Sequence, residues 1–323
     1  PTLNYTVMLR TFLITTFFLS ILSSNILPNQ VYFTLLKEFT LEGEPKDIVI
    51  DNSKAFIITS ANMYSVDILE PYPGNLIEYT GIGKVNSITF IGRIAYSTGN
   101  YEGIKYYDFT KSPPVYKNKI NSFGAIKKIV IDNGYLFAVN NSYGLQVYDV
   151  NIPDFPLFKN TQIIPGNANG IFVKDRKAYV TGSNGNLYII DAHDITMLPI
   201  VGQYNFATSF YEAYVDGGYA FLPQGAPGVQ VININKLPNP EWITNIFGRT
   251  NAKQVISSNF YVWLADENSI EAYFNYDFKT FLFTGNYDNG KAVINRIADI
   301  EGKYLYVCSS DKKLKILKID YRY

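Results

Sequence analysis

The chain has 323 residues, with 28 basic and 28 acidic side chains, one histidine and one cysteine. Zero net charge removes the electrostatic case for nucleic acid, and a lone cysteine excludes an internal disulfide. A single imidazole, His193, leaves out histidine-rich metal centres, so the sequence implies no cofactor and no metal.

In chain order, residues 1–25 come first. Met8-Leu9-Arg10 leads into Thr11–Leu22 (TFLITTFFLSIL), then Ser23-Ser24-Asn25. A basic start, a short apolar core and a small-residue exit predict a secretory signal peptide beginning at Met8, with residues 1–7 as upstream read-through. The core is shorter than the roughly 20 residues of a membrane span. No cysteine near the exit offers a lipid anchor. If retained, the segment would instead act as a membrane or assembly anchor. An exported chain without disulfides fits a bacterial or archaeal exterior.

Residues 26–323 read as one domain. Val31–Leu41 (VYFTLLKEFTL) is a β-like segment that precedes the first of seven repeats. Each repeat carries three apolar runs rich in Ile, Val, Tyr and Phe, broken by turn signals such as Asn133-Gly134 and Gly217-Gly218. A weaker fourth run follows a proline link, as Leu157–Ile164 follows Pro153 and Pro156. These are short strands joined by hairpins. Four antiparallel strands in roughly 40 residues make one blade of a β-propeller.

The register rests on three ladders. The second run carries an aromatic at Phe56, Tyr96, Phe137, Tyr179, Phe221, Trp263 and Tyr306. The third run ends at Asp67, Asp108, Asp149, Asp191, Asn233, Asn275 and Asp320. A polar or small residue precedes the first run at Asp47, Ser87, Lys128, Gly170, Glu212, Gln254 and Arg296. The seventh repeat ends with three residues left and lacks a fourth run. The fold class is therefore all-β, a seven-bladed β-propeller whose ring closes when Val31–Leu41 supplies the outer strand of the last blade. Such closure removes an open sheet edge and ties down the terminus.

Gly144–Val150 (GLQVYDV) followed by Asn151-Ile152-Pro153, and Asn186–Asp191 (NLYIID), resemble the LVIVD repeat. The resemblance covers about residues 31–320 and implies a propeller of the kind found on secreted and cell-surface proteins. Asn233 and Asn275 depart from its usual Asp, which weakens the expected packing of blades five and six. The repeated Asp reads as a cap on the turn into the fourth strand.

Few residues carry chemistry. His193, in Asp191-Ala192-His193-Asp194, reads as an exposed turn residue near the rim. Asp191 and Asp194 lie where no glycosidase cleft is expected. Gly182–Gly185 is a hairpin without the helix that phosphate binding needs. Only Trp242 and Trp263 exist, so the tryptophan repeats of quinone-docking propellers are missing, as is the sialidase box. Cys308 reads as a buried, inert thiol.

The candidate site is the ring position before each first strand: Asp47, Ser87, Lys128, Glu212, Gln254 and Arg296, with Gly170 completing the seven. If the first strand is innermost, these residues gather at one mouth of the central channel, either as a binding funnel or as plain polar lining. Their mixed signs argue against a dedicated anion or cation site. As exposed side chains, Lys128 and Arg296 should be replaceable at little cost in stability. The functional expectation is a non-enzymatic secreted or cell-surface scaffold that binds a protein or polysaccharide or mediates assembly. The alternatives are a carbohydrate-active hydrolase or lyase using carboxylates at the mouth, or a membrane-tethered sensor or filament subunit. Membrane contact is expected only if the N-terminal segment is retained.

Overall fold

The computed structural model describes residues 28–322, apart from 69–73, 81, 100–102 and 206–211. The export segment expected at residues 8–25 lies outside the described residues. Among the described residues every regular element is a β-strand, arranged in seven four-stranded antiparallel sheets. Each sheet is one blade. The first strands of blades 1 to 7 are Pro45–Asp51, Ser87–Ile91, Ile126–Asp132, Ala168–Lys174, Tyr214–Asp216, Gln254–Ser258 and Ile294–Ile300. Each of these touches the first strand of the blade on either side, and the seventh touches the first, so they form a closed inner ring.

The aromatic ladder is in register throughout. Phe56 pairs with Val49, Tyr96 with Thr89, Phe137 with Val130, Tyr179 with Phe172, Phe221 with Tyr214, Trp263 with Ile256 and Tyr306 with Ala298. All seven side chains are buried. They belong to seven apolar clusters, one between each pair of neighbouring blades. Each fully buried aliphatic or aromatic side chain stabilises by about 1.5–3 kcal/mol relative to exposure, so the blade-to-blade seams hold the ring together.

The Asp ladder slips in the last two blades. The third-strand residue opposite the start of the second strand is Asp67, Asp108, Asp149, Asp191 and Asn233 in blades 1 to 5. In blade 6 it is Phe274, opposite Tyr261, and in blade 7 it is Lys318, opposite Tyr304. Asn275 and Asp320 therefore stand one and two residues too far along. Asp108, Asp149, Asp191 and Asn233 each accept the backbone N–H two residues on, at 2.9–3.1 Å. Asn233 does this as well as any Asp, and Asn275 caps Phe278 N–H from its shifted position. In blade 7 the third strand continues past this position as far as Arg322, so Lys318 and Asp320 both lie within the strand.

The missing fourth strand of blade 7 is Gln30–Thr40, antiparallel to Lys313–Arg322 from Gln30 opposite Arg322 to Thr40 opposite Lys313. A bulge between Leu35 and Lys37 breaks the pairing once. Val31, Phe33 and Phe39 pack into the seams on both sides of this blade.

Candidate functional site at the channel mouth

The ring positions fall where the inner strands begin, on the face that carries the connections between blades. Six of them pair with the second-strand residue two beyond the ladder aromatic: Asp47 with Ile58, Ser87 with Thr98, Lys128 with Val139, Gly170 with Thr181, Gln254 with Ala265 and Arg296 with Cys308. Glu212 precedes the inner strand of blade 5. At Asp47, Lys128, Gly170 and Arg296 the strand bulges just before the ring residue. A bulge re-aims the side chain that follows it.

Asp47, Ser87, Lys128 and Glu212 line one cavity of about 300 Å³. The ammonium of Lys128 lies 2.5 Å from Glu212 Oε1. This pair spans from blade 3 to blade 5, past Gly170 of blade 4, which has no side chain to obstruct it. Arg296 Nε lies 3.6 Å from Asp47 Oδ1 and so joins blade 7 to blade 1. Asp47 also accepts the N–H of Ile48 at 3.0 Å.

The two uncharged members hold neighbouring blades together. Ser87 Oγ accepts the N–H of Ile129 at 3.3 Å. Gln254 donates to Ile297 O at 3.0 Å and accepts from Ile297 N–H at 2.8 Å, which completes that backbone group twice over. The mouth therefore presents charges already neutralised in pairs. Lys128 and Glu212 are each about one-fifth exposed, and the expectation that the cationic ring residues are free surface groups is corrected: both are ion-paired and partly buried.

One ring escaped the sequence reading. The third-strand residue opposite the position after the ladder aromatic is Tyr64, Gln146, Tyr188, Glu271 and Lys315 in blades 1, 3, 4, 6 and 7. Each pins the loop that enters its own blade. Tyr64 accepts Glu42 N–H at 2.9 Å, Gln146 donates to Phe123 O at 2.8 Å, and Tyr188 donates to Pro165 O at 3.0 Å. Glu271 accepts Arg249 N–H at 3.2 Å, and Lys315 donates to Asn289 Oδ1 at 2.5 Å. Glu271 is fully buried, and this desolvation raises its pKa against the opposing bond from the Tyr273 hydroxyl.

His193, Asp191 and Asp194 lie in the turn between the third and fourth strands of blade 4, on the opposite face. Asp191 Oδ1 takes both the N–H and Nδ1 of His193, at 2.9 and 2.6 Å. Asp194 Oδ1 takes the N–H and hydroxyl of Thr196, at 2.9 and 2.6 Å. These bonds hold both carboxyls below the ordinary carboxylate pKa, through His193 N–H for Asp191 and the Thr196 hydroxyl for Asp194. Cys308 is fully buried, and burial raises its thiol pKa far out of the reactive range.

No family model and no curated protein sequence matches the chain. Among solved structures it is similar to a computationally designed protein, Ika8, with a TM-score of 0.64 and 9% sequence identity over 86% of this chain and 98% of that one. At that identity the likeness is one of fold: the chain is built as a β-propeller.

Proposed function

We propose that the protein is a non-enzymatic scaffold of the LVIVD-repeat kind, exported to the cell exterior, where its channel mouth binds a protein or polysaccharide partner. The observation that carries this reading is the convergence of Asp47, Ser87, Lys128 and Glu212 on one cavity of about 300 Å³. A concave site with a few convergent polar groups is the default binding position of such a fold. Both signs of charge are on offer, so a partner that brings its own donors and acceptors can exchange with the resident ion pairs. The export reading rests on the sequence of residues 8–25.

The test is capture of partners from the native cell-surface fraction by the tagged full chain and by a charge-swapped variant, Lys128→Glu with Glu212→Lys. The swap keeps an ion pair in place and reverses its direction. Capture of a defined partner by the parent, lost in the swap at unchanged melting temperature, supports the reading; equal capture by both contradicts it. The same preparations are assayed for polysaccharide cleavage, and turnover that disappears in Glu212→Gln would replace the scaffold by an enzyme.

A further inference from the structure

On the face opposite the mouth, three of the seams between blades are covered by an aromatic from the turn or strand end beside them. Phe109 of blade 2 packs edge-on against Phe56 and Phe90, with ring centroids at 6.0 and 5.3 Å. Phe278 of blade 6 stacks on Tyr219 of blade 5 at 4.5 Å and 4°. Tyr321 of blade 7 lies 5.0 Å from Tyr261 of blade 6.

Between blades 3 and 4 the groove is open. The residue equivalent to Phe109 is Ala192: each donates its N–H to the carbonyl of the preceding hairpin, Phe109 to Arg93 and Ala192 to Arg176, both at 2.9 Å. With a methyl in place of a phenyl ring, a cleft of about 350 Å³ remains, with Tyr135 and Phe137 on its blade 3 wall and Arg176 and His193 on its blade 4 side.

The two hairpins differ in their electrostatics as well. Arg93 is satisfied twice, by Asp108 at 3.2 Å and by Asp154 at 2.6 Å. The counterpart of Asp108 is Asp191, which His193 occupies instead. Among the described residues Arg176 has no carboxylate partner. The carboxylates on the cleft wall are engaged locally: Asp132 accepts Asn133 Nδ2 at 2.9 Å, and Asp194 accepts Thr196. Lys159 lies 3.1 Å from Asp149. The cleft thus holds the planar guanidinium of Arg176 without a carboxylate partner and the second nitrogen of His193 beside Tyr135 and Phe137, while among the described residues Asp132 and Asp194 on its wall are held by neutral donors alone.

We infer that this cleft binds an acidic sugar residue of a polysaccharide. Arg176 receives the carboxylate bidentately, His193 adds a polar contact, and the pyranose ring lies against Tyr135 and Phe137. The cavity matches the lower end of the roughly 300–1,000 Å³ of small-ligand pockets. This site is on the opposite face from the channel mouth and does not depend on the reading of that mouth.

The full chain is titrated calorimetrically with glucuronate and galacturonate, and with glucose and acetate as the neutral sugar and the bare carboxylate. A uronate is expected to bind at least about tenfold more tightly than glucose or acetate. Arg176→Ala weakens uronate binding by about tenfold or more, the scale of one charge-assisted pair, at unchanged melting temperature. Ala192→Phe, which restores the plug of blade 2, abolishes it. The Lys128 and Glu212 charge swap leaves uronate binding intact. Uronate binding that is absent in the parent, matched by acetate or glucose, or unaffected by Arg176→Ala overturns the inference, and the Arg176 arm decides even if the Ala192→Phe variant does not fold.

Discussion

The carbonyl oxygen of Val31 occupies the space that a Cβ on Gly285 would need. Val31 belongs to the closing strand and Gly285 to the outer strand of blade 6, Phe281–Asp288, so the seal of the ring is seated on a neighbour with no side chain at the contact. Gly285→Ala forces these backbones apart and is expected to destabilise by about 1–3 kcal/mol, the usual cost of overpacking. Urea denaturation checks this; a melting curve identical to the parent's would mean the closing strand is not seated there.

The Lys128–Glu212 bridge couples blade 3 to blade 5. Truncating either residue leaves a partly buried charge without its partner, so Lys128→Ala and Glu212→Ala should each cost about 1–3 kcal/mol. The double variant should cost less than the two singles added together, as contacting residues are not additive. Strict additivity in a double-mutant cycle would show that the pair does not interact in solution.

Glu271 has a raised folded pKa because it is buried. Its charged form is disfavoured in the fold, so its contribution is most favourable at low pH and falls as pH rises from the ordinary glutamate range through its higher folded value. Glu271→Gln reproduces the blade 3 arrangement, where Gln146 accepts the Tyr148 hydroxyl at 2.7 Å and donates to Phe123 O. The variant should match or exceed the parent at pH 8, by up to about 1 kcal/mol, and lose this decline with pH. Asp108, Asp149 and Asp191 act with the opposite sign. Hydrogen bonds, led by those from Thr110, Asn151 and His193, lower their pKa values, so the stability they confer is lost as pH falls below the ordinary aspartate value of 3.8. Stability measured against pH should therefore fall on the acid side in both proteins.

The inner ring and the aromatic ladder are legible in the sequence because the same inter-blade space recurs seven times and selects a large apolar side chain each time, from Phe56 to Tyr306. The Asp ladder misleads where the selecting turn changes. In blade 6, Asn275 caps from one residue later, and in blade 7 Asp320 lies within the third strand, paired with Tyr32 of the closing strand, and not at its end. The loop-pinning ring is illegible for a different reason. Tyr64, Gln146, Tyr188, Glu271 and Lys315 share a task, to reach a loop at one distance, that a phenol, an amide, a carboxyl and an ammonium all perform. That Ser87 and Gln254 tie blades together likewise depends on where a neighbouring backbone lies. The open groove beside Ala192 depends on a side chain that is small, which leaves no pattern to read.

Ring closure by residues 30–40 underlies the channel, its mouth and the cleft alike. Hydrogen–deuterium exchange followed by mass spectrometry measures it directly. Peptides from Gln30–Thr40 should be protected to the same extent as those from Lys313–Arg322, which they pair with, and deleting Val31–Leu41 should expose Lys313–Arg322 and cost several kcal/mol of a total of about 5–15 kcal/mol. Rapid exchange across Gln30–Thr40 in the intact chain, or a deleted protein as thermostable as the parent, would contradict a closed seven-bladed ring.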